Sequence, residues 1–79
     1  MEKEIINLIN KHYKTTKVEV NYLDDKKVTL SLSNMKYAVN IAARLLKKYK
    51  TLEYVVVEYG WDTWVYTRNT IERTGKFKF

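Results

Sequence analysis

The sequence predicts a single α+β domain spanning residues 1–79, with helices and strands in the order αββαββ. Three observations support this prediction. Apolar residues recur at helical spacing in two segments, 2–14 and 34–50. Apolar and polar residues alternate in four further segments, as they do in strands that bury one face. These four segments form two pairs, each joined by a short turn, so we expect two β-hairpins.

The first predicted helix covers residues 2–14. Ile5, Ile9 and Tyr13 recur at spacings of four and therefore share one face. Two glutamates in the first turn and two lysines in the last suit the helix macrodipole. The two threonines that follow are expected to end the helix.

The first predicted hairpin covers residues 17–33, where two alternating segments flank a polar turn. The apolar faces of the two strands coincide only if Tyr22 lies opposite Val28. This register leaves a three-residue loop, Asp24-Asp25-Lys26, which is a common length for a hairpin.

The second predicted helix covers residues 34–50, with Ser33 or Asn34 as its N-cap. Its apolar residues form one face, and the opposite face is basic. The segment carries five bases and no acid. The residues predicted for its basic face are Lys36, Asn40, Arg44, Lys47 and Lys48.

The second predicted hairpin turns at Gly60, which fits the first central position of a type II′ turn. That turn pairs Val57 with Trp64 and places Glu53 opposite Arg68, an oppositely charged pair. Both faces of this hairpin are partly apolar, so the pattern leaves open which one meets the helices. The segment 70–79 is compatible with a short helix, a frayed tail or an added edge strand.

The simplest packing of these elements is a four-stranded antiparallel sheet with both helices on one face. In the strand order 3-4-2-1, this is a circularly permuted ferredoxin-like sandwich. The second helix would then be the right-handed crossover between the hairpins. Such a two-layer arrangement leaves one face of the sheet uncovered.

Few residues point to catalysis. The chain has no cysteine, two glycines and one histidine, His12, so we expect no metal site and no glycine-rich phosphate loop. The adjacent Asp24 and Asp25 suit turn chemistry. We therefore expect no enzyme and no cofactor. No apolar run is long enough to span a membrane, and the N-terminus does not look like a signal peptide, so we expect a cytoplasmic protein without a membrane partner.

Aromatic residues are concentrated in the second hairpin, which holds five of the eleven in the chain. Residues 51–66 also carry three acids and no base. Trp61 lies at the predicted turn, where we expect it to be exposed. Aromatic side chains of this kind often dominate protein–protein interfaces. The predicted partner-binding residues are Tyr54, Tyr59, Trp61, Trp64 and Tyr66.

The net charge of +6 indicates an anionic partner, either nucleic acid or an acidic protein surface. A solvated lysine-rich surface is the alternative interpretation. The positive charge lies on the second helix and on the C-terminal tail, whose predicted binding residues are Arg68, Arg73, Lys76 and Lys78.

The run from Ser33 to Asn69, a helix followed by a hairpin rich in Val, Tyr and Trp, resembles small proteins of phages and mobile elements, including several anti-CRISPR proteins. The resemblance implies a non-catalytic inhibitor that occupies a host nuclease complex. The positive charge departs from inhibitors that mimic DNA with acidic surfaces. Our first hypothesis is therefore a module that docks on a nucleic-acid-processing complex. The alternatives are direct DNA or RNA binding and a purely structural homodimer.

Overall fold

The structure is a computed structural model that describes residues 1–75, 77 and 79. It confirms the α+β class and the order αββαββ. After the second hairpin the chain forms a third, short helix. The elements are α1 (Glu2–His12), β1 (Val18–Leu23), β2 (Lys27–Leu32), α2 (Ala38–Lys48), β3 (Tyr54–Tyr59), β4 (Asp62–Tyr66) and α3 (Arg68–Glu72).

The four strands form one sheet in the order β1-β2-β3-β4. The predicted order 3-4-2-1 and the all-antiparallel arrangement are wrong, because β3 lies directly beside β2 and runs parallel to it. The physical reason lies in the apolar content of the strands. Val55 and Val57 of β3 are completely buried, as expected for a strand in the centre of a sheet. The more polar β4 takes the edge, where its residues are mostly exposed.

One hydrophobic core lies between the sheet and the helices, which share one face of the sheet as predicted. In the parallel register Val28 lies beside Val55 and Leu30 beside Val57, so these four side chains share that face. Apolar residues from all three helices pack with them: Ile5, Ile9, Ile41, Leu45, Leu46 and Ile71. The opposite face of the sheet is left open, and we call it the open face.

The first hairpin departs from the predicted register near its turn. Tyr22 pairs with Thr29 instead of Val28, because the turn is one residue tighter than expected. The register then shifts between Val20 and Tyr22, where Asn21 forms a β-bulge. Beyond the bulge, Val20 pairs with Leu30 as predicted. Tyr22 consequently lies on the open face and not in the core.

The second hairpin has the predicted turn and the predicted pairing of Val57 with Trp64. Gly60 has φ = 61°, and no other residue of the turn has a positive φ, which is the pattern of a type II′ turn. The predicted Glu53–Arg68 pair is wrong because β4 ends at Tyr66. Glu53 instead forms an exposed salt bridge of 3.6 Å with Lys26.

Helix α2 begins at Ala38, four residues later than predicted, and its N-cap is Tyr37. The predicted caps are therefore wrong. The side-chain oxygen of Asn34 accepts the N–H of Lys36 at 3.2 Å, which forms a turn in place of a helical start. Lys36 accordingly lies in the turn before the helix.

Candidate functional site

The five aromatic residues predicted to bind a partner do not form a single surface. Trp64 and Tyr66 pair with core-facing valines of β3, so they lie on the helix side of the sheet. Tyr59 lies on the same side by alternation along β3. Tyr54 has the opposite parity and lies on the open face. Tyr66 is half-buried against the core, and this burial raises the pKa of its hydroxyl.

Three of these residues cluster at the turn end of the second hairpin, and we call Tyr59, Trp61 and Trp64 the aromatic tip. Trp61 is fully exposed, at 104% of its reference area, as the sequence predicted. Tyr59 is 43% exposed and Trp64 36%, although both lie on the helix side of the sheet. The helices therefore leave this end of the hairpin uncovered. The two residues are diagonal cross-strand neighbours, a spacing that aromatic side chains can bridge.

The charge around the aromatic tip is negative. Asp62 follows Trp61 directly, and Glu58 lies on the open face of the adjacent strand. The Nδ2 atom of Asn21 donates to Glu58 at 3.0 Å and to Ser31 at 2.6 Å. This network spans three strands and holds the Glu58 carboxylate in place.

A row of side chains crosses the open face from one edge to the other. The registers place Tyr22, Thr29, Val56 and Val65 side by side on the four strands. Tyr22 is 49% exposed and Val65 is 53% exposed. The open face is thus partly apolar across its full width.

The second candidate site is the exposed face of α2, and we call Asn40, Arg44, Lys47 and Lys48 the basic surface. All four residues are exposed, as the helical spacing predicted. Arg44 is held by Tyr13, because its Nε donates to the Tyr13 hydroxyl at 2.8 Å. Arg44 and Lys47 line a shallow hollow of about 250 Å³ together with Tyr13 and Asn40. Lys36 lies outside this group, with its ammonium 5.3 Å from the centre of the Tyr37 ring.

The pKa of His12 is affected by positive charges on both α1 and α2. Desolvation lowers the pKa of His12, and the nearby charges of Arg44 and Lys11 lower it further. Bases from both helices therefore converge on one region. Such a region attracts anions.

Arg68 has a structural role that sequence reasoning missed. Its Nη1 donates to the carbonyl of Leu52 at 2.6 Å, and its Nη2 donates to the carbonyls of Leu46 at 2.6 Å and Tyr49 at 3.2 Å. The carbonyls at the end of a helix lack intrahelical partners and carry partial negative charge. Arg68 thus caps the C-terminus of α2 and does not belong to the basic surface.

Of the remaining predicted tail residues, the structure describes Arg73 alone. Arg73 is exposed just after α3. Lys76 and Lys78 lie outside the described residues. Phe77 and Phe79 lie near the basic surface, each ring centre 5.9 Å from the Lys47 ammonium, and neither belongs to a strand.

Within the described part of the chain, no three His, Asp or Glu side chains gather in a way that could hold a metal ion. No helix in that part is long and apolar enough to cross a membrane. No protein-family model, curated protein or solved structure matches the chain. The aromatic tip and the basic surface are therefore the features of the chain that bear on its function.

Proposed function

We propose that this protein is a non-catalytic binding module that docks on another protein through the aromatic tip. The observation that supports this most is the full exposure of Trp61 on a tight turn. Contact with water is costly for so large an apolar side chain, and a partner surface would remove that cost.

The backbone under Trp61 favours tight docking. A two-residue turn closed by the Tyr59–Asp62 pair gives the tip little conformational freedom to lose on binding. Binding free energy is lost mainly when flexible groups become ordered, so a pre-formed tip retains more of it. Tryptophan and tyrosine are also the residues most often found at the energetic centre of interfaces.

The resemblance to small phage and mobile-element proteins extends the proposal to a class of partner. We propose a host nucleic-acid-processing complex in the cytoplasm, such as a CRISPR nuclease complex, which the module inhibits or assists. The net charge of +6 would steer the module toward a target that carries nucleic acid or acidic patches.

The test measures inhibition of DNA cleavage by purified CRISPR nuclease complexes, with wild type compared with Trp61→Ala. We expect wild type to slow cleavage by one of these complexes and Trp61→Ala to lose most of that effect. Removing a hot-spot tryptophan costs about 2 kcal/mol or more, which is roughly a 30-fold loss of affinity. In a Trp64→Phe variant, the remaining tryptophan fluorescence reports directly on whether Trp61 becomes buried in the complex.

The control is the pair Lys47→Glu with Lys48→Glu, which alters the basic surface and leaves the tip intact. We expect this variant to bind more slowly and still inhibit at saturating concentration. If Trp61→Ala inhibits as well as wild type, or if the Trp61 fluorescence does not change on binding, docking through the tip is wrong.

A second candidate function is direct DNA or RNA binding through the basic surface. The observation that favours it is the grouping of bases around Arg44, which lies near His12 together with Lys11 and lines a hollow together with Lys47. Phosphate contacts release counterions, so affinity should fall steeply as salt rises. Under this candidate the Lys47→Glu, Lys48→Glu variant loses binding and Trp61→Ala retains it, the reverse of the first proposal.

A further inference from the structure

The two edges of the sheet are built differently. Strand β1 has a bulge at Asn21, and two charged residues at its start, Lys17 just before the strand and Glu19 within it, are exposed. These features discourage another strand from pairing there. Strand β4, with the sequence Asp-Thr-Trp-Val-Tyr, has no bulge, no lysine and no proline. Among residues 1–75, 77 and 79, no strand pairs with its outer side. The chain thus protects one edge and leaves the other open.

The register identifies the backbone groups that β4 presents outward. Tyr59 and Asp62 close the two-residue turn, so they form a hydrogen-bonded pair. Hydrogen-bonded and non-hydrogen-bonded pairs alternate along an antiparallel ladder. The N–H and C=O groups of Thr63 and Val65 therefore point away from β3 and are available to another strand.

The exposed side chains of β4 lie on both sides of the sheet. Trp64 lies on the helix side and is 36% exposed, while Val65 lies on the open face and is 53% exposed. A partner resting on one face of the sheet would cover only one of the two residues. A strand added beside β4 would lie next to both.

We propose that β4 pairs with β4 of a second copy of this chain. The two strands run antiparallel about a two-fold axis at Trp64, and the result is a continuous sheet with four strands from each copy. In this register Thr63 of each copy forms a hydrogen-bonded pair with Val65 of the other. The two Trp64 residues form the central non-hydrogen-bonded pair, in which side chains are closest. Aromatic pairs are favourable across strands, and no like charges lie opposite each other.

The structure also selects this register over its neighbour. A two-fold axis at Val65 would pair Thr63 with Thr67 of the other copy. The N–H of Thr67 is already bonded to the Thr70 hydroxyl at 2.8 Å, as part of the N-terminal cap of α3. The pairing therefore ends at Tyr66, and the axis at Trp64 uses the full length of β4.

This inference does not depend on the proposed docking function. Pairing of the two β4 strands uses Trp64 of the aromatic tip and leaves Tyr59 and Trp61 outside the paired segment, so these two residues of each copy remain available to a docking partner. Each copy carries a net charge of +6, so the two copies repel each other at low salt. Screening weakens this repulsion, and self-association should strengthen as salt rises.

The first test is sedimentation of the full chain over a series of protein and salt concentrations. We expect a monomer–dimer equilibrium that shifts toward dimer as either concentration rises. Val65→Lys places a charge on the open edge and should abolish the dimer. Asn10→Lys on the exposed surface of α1 adds the same charge elsewhere and should behave nearly as wild type.

The second test uses single cysteines in a chain that has none. Trp64→Cys places two thiols opposite each other, with Cβ atoms about 5 Å apart, close enough for a disulfide after small adjustments. We expect it to form covalent dimers under mild oxidation much faster than Glu19→Cys on the other edge. A wild-type chain that stays monomeric throughout, or equal cross-linking of the two variants, would overturn the proposal.

Discussion

At the scale of single residues, Asp24 shows how one side chain fixes a turn. One carboxylate oxygen accepts the Tyr22 hydroxyl at 2.7 Å, and the other accepts the N–H groups of Lys26 at 2.8 Å and Lys27 at 2.7 Å. The bond from Tyr22 is the largest cause that lowers the pKa of Asp24, and the two backbone bonds lower it further. The ionised carboxylate is therefore the form that the folded chain stabilises.

This pKa shift predicts how stability depends on pH. A lowered folded pKa gives stability that is present above the unfolded pKa of 3.8 and lost as pH falls through the folded value. We expect Asp24→Asn to be less stable than wild type at neutral pH and the two to converge in strong acid. Thermal unfolding between about pH 7 and pH 2 measures this difference.

The control for this prediction is Asp25→Asn, which removes the same charge from the same turn and none of these three hydrogen bonds. We expect the Asp25 variant to follow the wild-type curve. Equal losses for the two variants at neutral pH would show that net charge, and not the bonds to Asp24, sets the effect.

The exposure or backbone conformation of some residues can be predicted from the sequence, because neighbouring residues in the chain determine it. The exposure of Trp61 and the conformation of Gly60 both follow from a two-residue turn, which four adjacent residues determine. The position of Tyr22 was not predictable in this way. A bulge can move a residue to the other face, and alternation alone does not reveal where the register shifts.

At the scale of the elements, Arg68 joins three parts of the fold. It lies at the start of α3, and its guanidinium binds carbonyls at the end of α2 and at Leu52 before β3. The sequence pattern alone predicts that Arg68 pairs with Glu53 across the second hairpin. Because β4 ends at Tyr66, Arg68 lies outside the strand, and its guanidinium reaches the carbonyls at the end of α2, which lack intrahelical partners.

We expect Arg68→Ala to destabilise the protein by about 2 kcal/mol, since hydrogen bonds to a charged group contribute roughly 1.5–3 kcal/mol. The half-buried carbonyls would also lose their partner. Urea unfolding of wild type and variant measures the difference in the free energy of unfolding.

Arg73→Ala is the matched control, because Arg73 is exposed and follows the same helix. We expect it to change stability by less than about 0.5 kcal/mol. An Arg68→Ala variant as stable as the Arg73 variant would mean that the cap contributes nothing measurable.

The order of the strands in the sheet cannot be predicted from local sequence patterns, although the elements themselves can. Helices, hairpins and the β3–β4 register follow from patterns within a few residues. The choice of β3 or β4 as the neighbour of β2 depends on how α2 covers the sheet, which is a long-range packing question. The run of valines in β3 favours a central position, and this is the signal that would have identified the observed order.

At the scale of the whole molecule, charge is distributed unevenly over the fold. The helix layer carries the basic surface, whereas β3 and β4 with their turn carry Glu58 and Asp62 and no base. Neither candidate surface could be located from composition alone, since the aromatic residues divide between two faces and Arg68 is used as a cap. The fold therefore separates the aromatic tip, which has acidic residues beside it, from the basic surface.

This separation predicts opposite responses to salt for two kinds of association. Binding of labelled single- or double-stranded DNA and RNA to the basic surface, measured by fluorescence anisotropy, should weaken steeply as salt rises. Pairing of two β4 edges should strengthen, because salt screens the repulsion between chains of charge +6. The Lys47→Glu, Lys48→Glu variant changes the charge by −4, from +6 to +2. We expect it to lose nucleic-acid binding and to self-associate more readily at low salt. A variant that loses both associations together, or a dimer that dissociates as salt rises, would show that this account of the charge is wrong.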